Sequence, residues 1–319
     1  MKKIFILLCL FSLCADCVFA QAAYPDTNLP GDVPQIFARG ILTDGLANRD
    51  FTISPKGDEI YFTIQHLRVA SFIVKVSKVN GKWSKPEMAS FSGVYYDLEA
   101  TFSADGNTLY FVSNRPLKEG GQQNDFDIWK TTRNTDGKWG QPVNLGPTVN
   151  SNKNEYYPSL AKNGNLYFTV EAPYGKGGED IVVCKPTANG YSAPESLPET
   201  INTKAGEFNA FVDPDEQFII FSSEKRADSK GSGDLYMSKK DKAGNWMPAR
   251  QLPAPINSTA LDYCPYVTAD KKYFIFTSNR MRKEWDSDKA VTYDEMRSLV
   301  TDPGNGLDDI YWVKFNPNW

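Results

Sequence analysis

The stretch DLEATFSADGNTLYFVSNR, residues 97–115, decides the fold of this chain. Two short apolar runs flank a Ser-Ala-Asp-Gly turn, which is the pattern of a β-hairpin. Asp97 and Glu99 stand where the first strand begins, and Arg115 stands just after the second strand. Because the two ends of a hairpin lie side by side, these charges either pair to hold the fold together or form part of a site.

The hairpin recurs five times along the chain, with copies that begin near residues 50, 99, 157, 209 and 264. A third β-rich segment follows each copy. In the first four units a fourth segment follows an aromatic residue and contains a proline, which suits an edge strand. Repeats of about 50 residues with four strands are typical of β-propeller blades. The phenylalanines that end the second strands are Phe62, Phe111, Phe168, Phe221 and Phe276.

The two ends of the chain set the number of blades. The fifth unit reaches Trp319 without a fourth strand, whereas VPQIFARGIL, residues 33–42, precedes the first hairpin as a spare strand. We therefore predict an all-β, five-bladed β-propeller of four-stranded antiparallel blades, with the N-terminal strand closing the last blade. The single propeller domain is expected to span residues 32–319.

The last blade carries a long insertion at residues 281–308. Within it, Thr292 and Glu295 have the spacing of a capping box, which predicts a short helix over residues 296–300. Trp285 lies in the insertion, outside the repeat, and is therefore a candidate contact residue.

The first twenty residues have the features of a secretory signal peptide. Lys2 and Lys3 precede an apolar run, and small residues end at Ala20, after which we expect cleavage. Lipidation of Cys17 is the alternative, and it is disfavoured because Asp16 precedes that cysteine. Residues 21–31 are expected to form a linker. The protein is therefore predicted to be periplasmic or secreted, and no later segment is apolar enough to span a membrane.

Composition excludes several classes of function. The 319 residues carry a formal net charge of −4, which gives no reason to expect nucleic acid as a partner. His66 is the only histidine, so the sequence offers neither a histidine-based triad nor a zinc site. Cys184 and Cys264 could pair in an oxidising compartment. We expect a monomer.

The repeat resembles the WD40-like repeat of TolB-type β-propellers. The resemblance is carried by the stretches from Asp97 to Arg115 and from Asp262 to Arg280, and by GKGGEDIVV (175–183) and GSGDLYM (231–237). The ending PGNGLDDIYWV is similar to secreted propellers of the Bacteroidetes. This resemblance implies the propeller fold and says little about function.

Charged residues recur at two fixed places on one face of the ring, which we call face A, where the first strand of every blade begins. We favour pairing between the acids and bases at the channel mouth, because a site used once does not need a copy in each blade. The third unit has Ala172 in place of a base, which leaves Glu155 unpaired, and Glu99 is an additional acid. The acids are Asp97, Glu155, Glu207 and Asp262, and the bases are Arg115, Lys225 and Arg280.

Acids also precede the third strands, and aromatic residues cluster beside the face A acids. We interpret the third-strand acids as acceptors for backbone N–H groups of the glycine-rich loops. Calcium is the weaker alternative and no other cofactor is expected; Asn124 to Asp127 is the best calcium candidate, although it lacks the EF-hand spacing. Half of the aromatic residues could stack on a sugar. The acids are Asp127, Asp180, Asp234 and Asp309, and the aromatic residues are Tyr95, Tyr96, Tyr156, Tyr157, Phe208 and Tyr263.

These features favour a non-catalytic binding module that takes a glycan, peptide or envelope protein through face A. A glycoside hydrolase of the five-bladed arabinanase-like type is one alternative, because channel-mouth carboxylates could act as acid and base. An accessory subunit of an envelope complex is another. Paired acids would indicate architecture, and unpaired acids with raised pKa values in a deep pocket would indicate catalysis.

Overall fold

The computed structural model describes residues 24–26, 28–283 and 288–319. The predicted signal peptide and the candidate contact residue Trp285 lie outside these ranges. Within them, five antiparallel sheets form the blades of a five-bladed propeller, which confirms the predicted fold class; four of the sheets have four strands, and that of blade 1 has a fifth short strand.

The strands follow one another from the channel outwards in each blade. The chain first forms β1 (Gln35–Ile36). Blade 1 contains β2 (Ala47–Ile53), β3 (Glu59–His66), β4 (Ala70–Val79), β5 (Lys82–Trp83) and β6 (Glu87–Met88). Blade 2 contains β7 (Asp97–Phe102), β8 (Thr108–Ser113), β9 (Asp127–Thr132) and β10 (Val143–Asn144). Blade 3 contains β11 (Glu155–Leu160), β12 (Leu166–Val170), β13 (Asp180–Cys184), the small hairpin β14 (Pro186–Thr187) and β15 (Gly190–Tyr191), and β16 (Glu195–Ser196). Blade 4 contains β17 (Gly206–Val212), β18 (Phe218–Glu224), β19 (Asp234–Lys239) and β20 (Arg250–Gln251). Blade 5 contains β21 (Asp262–Val267), β22 (Tyr273–Ser278) and β23 (Asp309–Lys314).

The N-terminal strand closes the ring, as the sequence predicts. β1 pairs antiparallel with β23 and supplies the edge strand of blade 5. Phe37, just beyond β1, is fully buried and stacks on Trp312 of β23 at a centroid distance of 4.4 Å. Phe37 also belongs to the core cluster that joins blade 5 to blade 1 through Phe51 and Ile275. Closure therefore rests on apolar packing as well as on the strand ladder.

A β-bulge interrupts each first strand at its third or fourth residue, where the backbone is left-handed. Left-handed backbone is unfavourable for residues other than glycine, so the surrounding structure must compensate for it. In three blades it does so in the same way: the N–H of the bulged residue donates to a threonine hydroxyl on the second strand of the preceding blade. The bulged residues are Asp50, Glu99, Tyr157, Asn209 and Cys264.

In the described part of the blade 5 insertion, residues 293–301 form the helix α1 (Tyr293–Thr301). The predicted capping box is present: the Thr292 hydroxyl accepts from the Glu295 N–H, and the Glu295 carboxylate accepts from the Thr292 N–H. None of the α1 residues is buried. Across the described part of the chain, no helix has the length and apolar character needed to cross a membrane.

The two cysteines of the described chain do not pair. Cys184 lies in β13 at the blade 2–blade 3 core, and Cys264 lies at the bulge of β21; both are buried free thiols. The sequence left open whether they pair, and the structure holds them apart on different strands of separate blades.

Candidate functional site

Two of the predicted acid–base pairs form within single blades. Arg115 donates to Asp97 at 2.7 Å in blade 2, and Arg280 donates to Asp262 at 2.6 Å in blade 5. Both carboxylates are fully buried. Each arginine also donates to a backbone carbonyl at the end of the preceding connection. These residues therefore fix the blade and its connection, and neither carboxylate is exposed to a ligand.

Blade 4 uses a different base from the one predicted. Glu207 pairs with Arg226 at 2.9 Å, whereas Lys225 is exposed and contacts Glu224. The reason is local backbone geometry: β18 extends to Glu224, and Lys225 then adopts a left-handed φ of 62°. The guanidinium therefore reaches the acid one residue later than in blades 2 and 5, and the assignment of Lys225 to the pair is wrong.

Glu155 has no base, as the sequence indicated. One of its oxygens, Oε1, accepts from the backbone N–H and the hydroxyl of Ser151 at 3.0 and 2.6 Å. The other, Oε2, is buried and has no hydrogen-bond partner. Burial, with the nearby charges of Asp127 and Asp125, raises the pKa of Glu155 to about 7.

The bulges bring a set of polar side chains together at the centre of the ring. The Arg49 guanidinium donates to Asp50 at 3.0 Å and to Glu99 at 2.6 Å, and it also contacts the Cys264 sulfur. The Cys264 thiol donates to Asp50 at 2.8 Å, and the Asn209 amide donates to Glu99 at 3.2 Å. This group, which we call the central cluster, contains one residue or more from blades 1, 2, 4 and 5.

The central cluster is closed to solvent. The exposed fractions of Asp50 and Glu99 are 2% and 4%. Burial raises the pKa of Glu99 to about 7 against the lowering effect of Arg49, and burial also raises the pKa of the Cys264 thiol well above its usual range. The cavity beside the cluster has a volume of about 20 Å³, which suffices for about one water molecule.

Of the central cluster, only Glu99 was selected from the sequence. The sequence did not indicate the other four, which are Arg49, Asp50, Asn209 and Cys264. The repeated feature is the polar residue at the start of each first strand, and these four lie one or two residues after it. The second of these positions holds a different residue type in each blade, so it gives no repeated motif.

Half-buried aromatic rings line the channel mouth on face A. Phe126 lies between Tyr96 and Tyr156, with ring centroids 5.3 and 5.5 Å away. The Gln65 amide donates to the Tyr96 hydroxyl at 3.2 Å and accepts from Arg49, which links the rings to the central cluster. We call these five residues the mouth site. In contrast, Tyr157 and Tyr263 are buried, and each packs against Cys264 in one core cluster.

The aspartates before the third strands act as predicted in blades 3, 4 and 5. Asp180, Asp234 and Asp309 accept backbone N–H groups of the preceding loops. Asp127 instead accepts side-chain amides, from Asn124 and Asn144. In the described ranges, no three acidic, histidine or cysteine side chains already converge on one metal position.

A cavity of about 360 Å³ lies on the opposite face between blades 1 and 2. Its wall combines Lys56 and Arg133 with Glu59 and Asp105, and Arg133 forms an ion pair with Glu59. Charges of both signs line this groove, so it shows no clear preference for a charged ligand.

Comparison with known proteins found distant structural similarity and no sequence match. The sequence matches no protein-family model and no curated protein. Similar solved structures include a provisionally assigned TolB from Agrobacterium tumefaciens (13% identity, TM-score 0.49, 85% of this chain and 91% of that one). They also include TolB from Acinetobacter baumannii (11%, 0.47, 85% and 55%). A third is an exo-1,5-α-L-arabinanase from a bovine ruminal metagenomic library (14%, 0.48, 85% and 94%). At these identities the likeness concerns the propeller fold alone, and the similarity to Bacteroidetes propellers stays a prediction.

Proposed function

We propose that this chain is an extracytoplasmic binding propeller that holds a glycan at the mouth site and does not convert it. The observation that carries the proposal is the row of three half-buried rings, Tyr96, Phe126 and Tyr156, at the channel mouth. Of the face A acids that the sequence suggested as the binding surface, Asp97, Glu207 and Asp262 are buried in ion pairs, and Glu155 is buried without one.

The mouth site has the chemistry that a sugar requires. Aromatic faces stack on the apolar C–H face of a sugar ring, and the phenol hydroxyls remain able to bond to its hydroxyl groups. The rings contact one another before any ligand arrives, so binding orders few side chains and costs less conformational entropy. Gln65, at the inner end of the site, adds an amide, and Arg49 holds it in place through its Oε1.

The central carboxylates favour binding over hydrolysis. An inverting glycosidase needs two carboxyl groups roughly 6.5–9.5 Å apart, with space between them for the sugar and a water. Asp50 and Glu99 are instead bridged by Arg49, buried, and adjacent to a cavity of about 20 Å³. A sugar cannot reach them without rearrangement of the cluster.

A protein partner is the second candidate, and α1 is the observation that favours it. Tyr293, Met296 and Val300 lie on one side of this helix, with exposed fractions of 73%, 37% and 62%. Exposed apolar side chains at this spacing are typical of helices that pack against another protein. On this reading the chain would be the accessory subunit of an envelope complex.

The test is calorimetric titration of the protein with a panel of oligosaccharides, with product release assayed in the same samples. We expect binding without turnover, and Tyr156→Ala should weaken it about two- to tenfold because one stacking partner is lost. The matched control is Tyr293→Ala on α1, which should leave glycan affinity unchanged. Turnover would establish the hydrolase. If no oligosaccharide of the panel bound, glycan binding would be refuted, and α1 would be the next surface to test.

A further inference from the structure

A row of hydrogen bonds connects the buried central cluster to the mouth site. Arg49 donates to the Glu99 carboxylate at 2.6 Å and to the side-chain oxygen of Gln65 at 3.4 Å. The Gln65 amide nitrogen donates in turn to the Tyr96 hydroxyl at 3.2 Å. Glu99 is itself fixed, because its second oxygen accepts from the Tyr157 N–H at 2.7 Å. The row therefore runs from a buried, anchored carboxylate to a half-buried ring of the mouth site.

The chemistry of these groups sets the direction of each hydrogen bond in the row. A guanidinium has only donors, so Arg49 must face the oxygen of the Gln65 amide and not its NH₂ group. The NH₂ group then points to Tyr96, whose oxygen accepts. A phenol oxygen that accepts one hydrogen bond keeps its own proton for a second partner. Among the described residues, the Tyr96 hydroxyl makes no second hydrogen bond, so its proton is available to a ligand.

Positive charge outweighs negative charge at the Tyr96 hydroxyl. Burial raises the pKa of Tyr96, and the charges of Arg49 and Arg68 lower it. Glu99 and Asp50 also raise it, but each has a smaller effect than either arginine. Arg68 lies in the exposed turn between β3 and β4, three residues beyond Gln65, and forms no ion pair with another described residue. An anionic acceptor is therefore favoured at this place.

The other end of the mouth site has the opposite character. Burial raises the pKa of Tyr156, and among the charges that raise it further those of Glu99 and Glu179 have the largest effects. Glu179 is half-buried and has no ion-pair partner within the described ranges. A negatively charged ligand group is therefore favoured beside Tyr96 and disfavoured beside Tyr156, which gives the ligand a direction across the site.

We propose that the mouth site selects an acidic sugar, whose carboxylate accepts from the Tyr96 hydroxyl, and that Gln65 sets this preference by holding the hydroxyl as a donor. The inference rests on the proposed function, since it names the class of glycan held at that site. A carboxylate accepts and does not donate, so it matches a hydroxyl whose proton is free. A hydrogen bond to an ionised group is about twice as strong as one between neutral groups. Gln65 is thus a positioning residue, and Tyr96 is the contact.

The test is calorimetric titration with oligosaccharides of galacturonate, glucuronate and mannuronate, each beside its carboxyl-reduced, neutral counterpart, at constant ionic strength. We expect the acidic member of at least one pair to bind about five- to tenfold more tightly than the neutral member. Tyr96→Phe keeps the ring and removes the hydroxyl. It should bring the affinities of that pair to within about twofold of each other, because the charge-assisted hydrogen bond is lost.

A second variant tests the positioning role of Gln65. Gln65→Met keeps the length of the side chain and removes the amide, so the Tyr96 hydroxyl is free to turn. The ratio of acidic to neutral affinity should fall about two- to fivefold, while the neutral affinity changes less than about twofold. A merely structural role would weaken both members equally. Gln217→Met is the matched control, because Gln217 is exposed in the turn between β17 and β18 on the opposite face, and it should behave as wild type.

The outcomes separate this inference from the proposed function. If the neutral member bound as tightly as the acidic member in every pair that binds, the preference would be refuted and glycan binding would stand. An unchanged ratio in a folded Tyr96→Phe variant would refute the role of its hydroxyl. If no oligosaccharide of either kind bound, the proposed function would fail and this inference with it. Circular dichroism establishes folding, and the ratio on wild-type protein decides the preference even if both variants fail to fold.

Discussion

The substitution Arg226→Met tests whether the acid–base ring holds the fold. Arg226 donates to Glu207 through both Nε and Nη2, to the Ser223 hydroxyl, and to the Ile201 carbonyl at 2.6 Å. Methionine keeps the apolar contact with the neighbouring rings and removes every one of these donors. Glu207, which is fully buried, then loses the one ion-pair partner that it has among the described residues.

The expected loss of stability follows from that geometry. Removing one partner of a buried ion pair costs about 3–5 kcal/mol, because the other charge stays buried. Glu207 keeps the N–H and hydroxyl of Thr203 at 2.8 and 2.7 Å, which places the expected loss near the lower end, about 3 kcal/mol. The assay is equilibrium unfolding in guanidinium chloride at pH 7, followed by tryptophan fluorescence.

The neighbouring residue supplies a matched control. Lys225→Met changes the same charge one position earlier, yet Lys225 is exposed and contacts only Glu224. We expect its free energy of unfolding to equal that of wild type within error. Equal free energies for the Arg226→Met and Lys225→Met variants would refute a structural role for the ring.

Further predictions concern closure, pH and the thiols. Phe37→Ala should cost about 3–5 kcal/mol in guanidinium unfolding, because it empties a fully buried place where β1 meets blade 1; a loss below about 1 kcal/mol would contradict closure by the N-terminal segment. The Glu155 carboxyl has a folded pKa of about 7 against the usual 4.5, so it binds a proton on folding, and stability should fall as pH rises from 4.5 to 7. Glu155→Gln should remove up to about 3 kcal/mol of that fall, and parallel pH profiles would contradict this. In protein that begins at Gln21, Cys184 and Cys264 should react with a thiol reagent only in denaturant, with two thiols per chain under non-reducing conditions; reaction in the native state would contradict their burial.

The repeat made the fold predictable. The hairpin, the edge proline and the anchoring phenylalanine are local sequence patterns. Five copies of the hairpin and its phenylalanine indicate a five-bladed propeller. The spare strand at residues 33–42 indicated closure because the last unit lacks its own edge strand. The pairs of Asp97 with Arg115 and of Asp262 with Arg280 could also be predicted, since both partners lie within one hairpin.

The central cluster could not be predicted, because it depends on long-range contacts and on backbone geometry. Cys264 donates to Asp50, which is 214 residues away in the sequence. The left-handed bulges fall on aspartate, glutamate, tyrosine, asparagine and cysteine, and no glycine marks them. The error at Lys225 has the same origin, because one left-handed residue shifts the base by a single position.

A crystal structure with a bound oligosaccharide, chosen by the calorimetric titration, is the most direct test of the proposed binding site. We expect the sugar on face A, with a ring stacked on Tyr96 or Tyr156 and the ion pairs of Asp97, Glu207 and Asp262 intact. A sugar in the groove of the opposite face, or one that reaches Glu99 through an opened central cluster, would contradict the assignment of the mouth site.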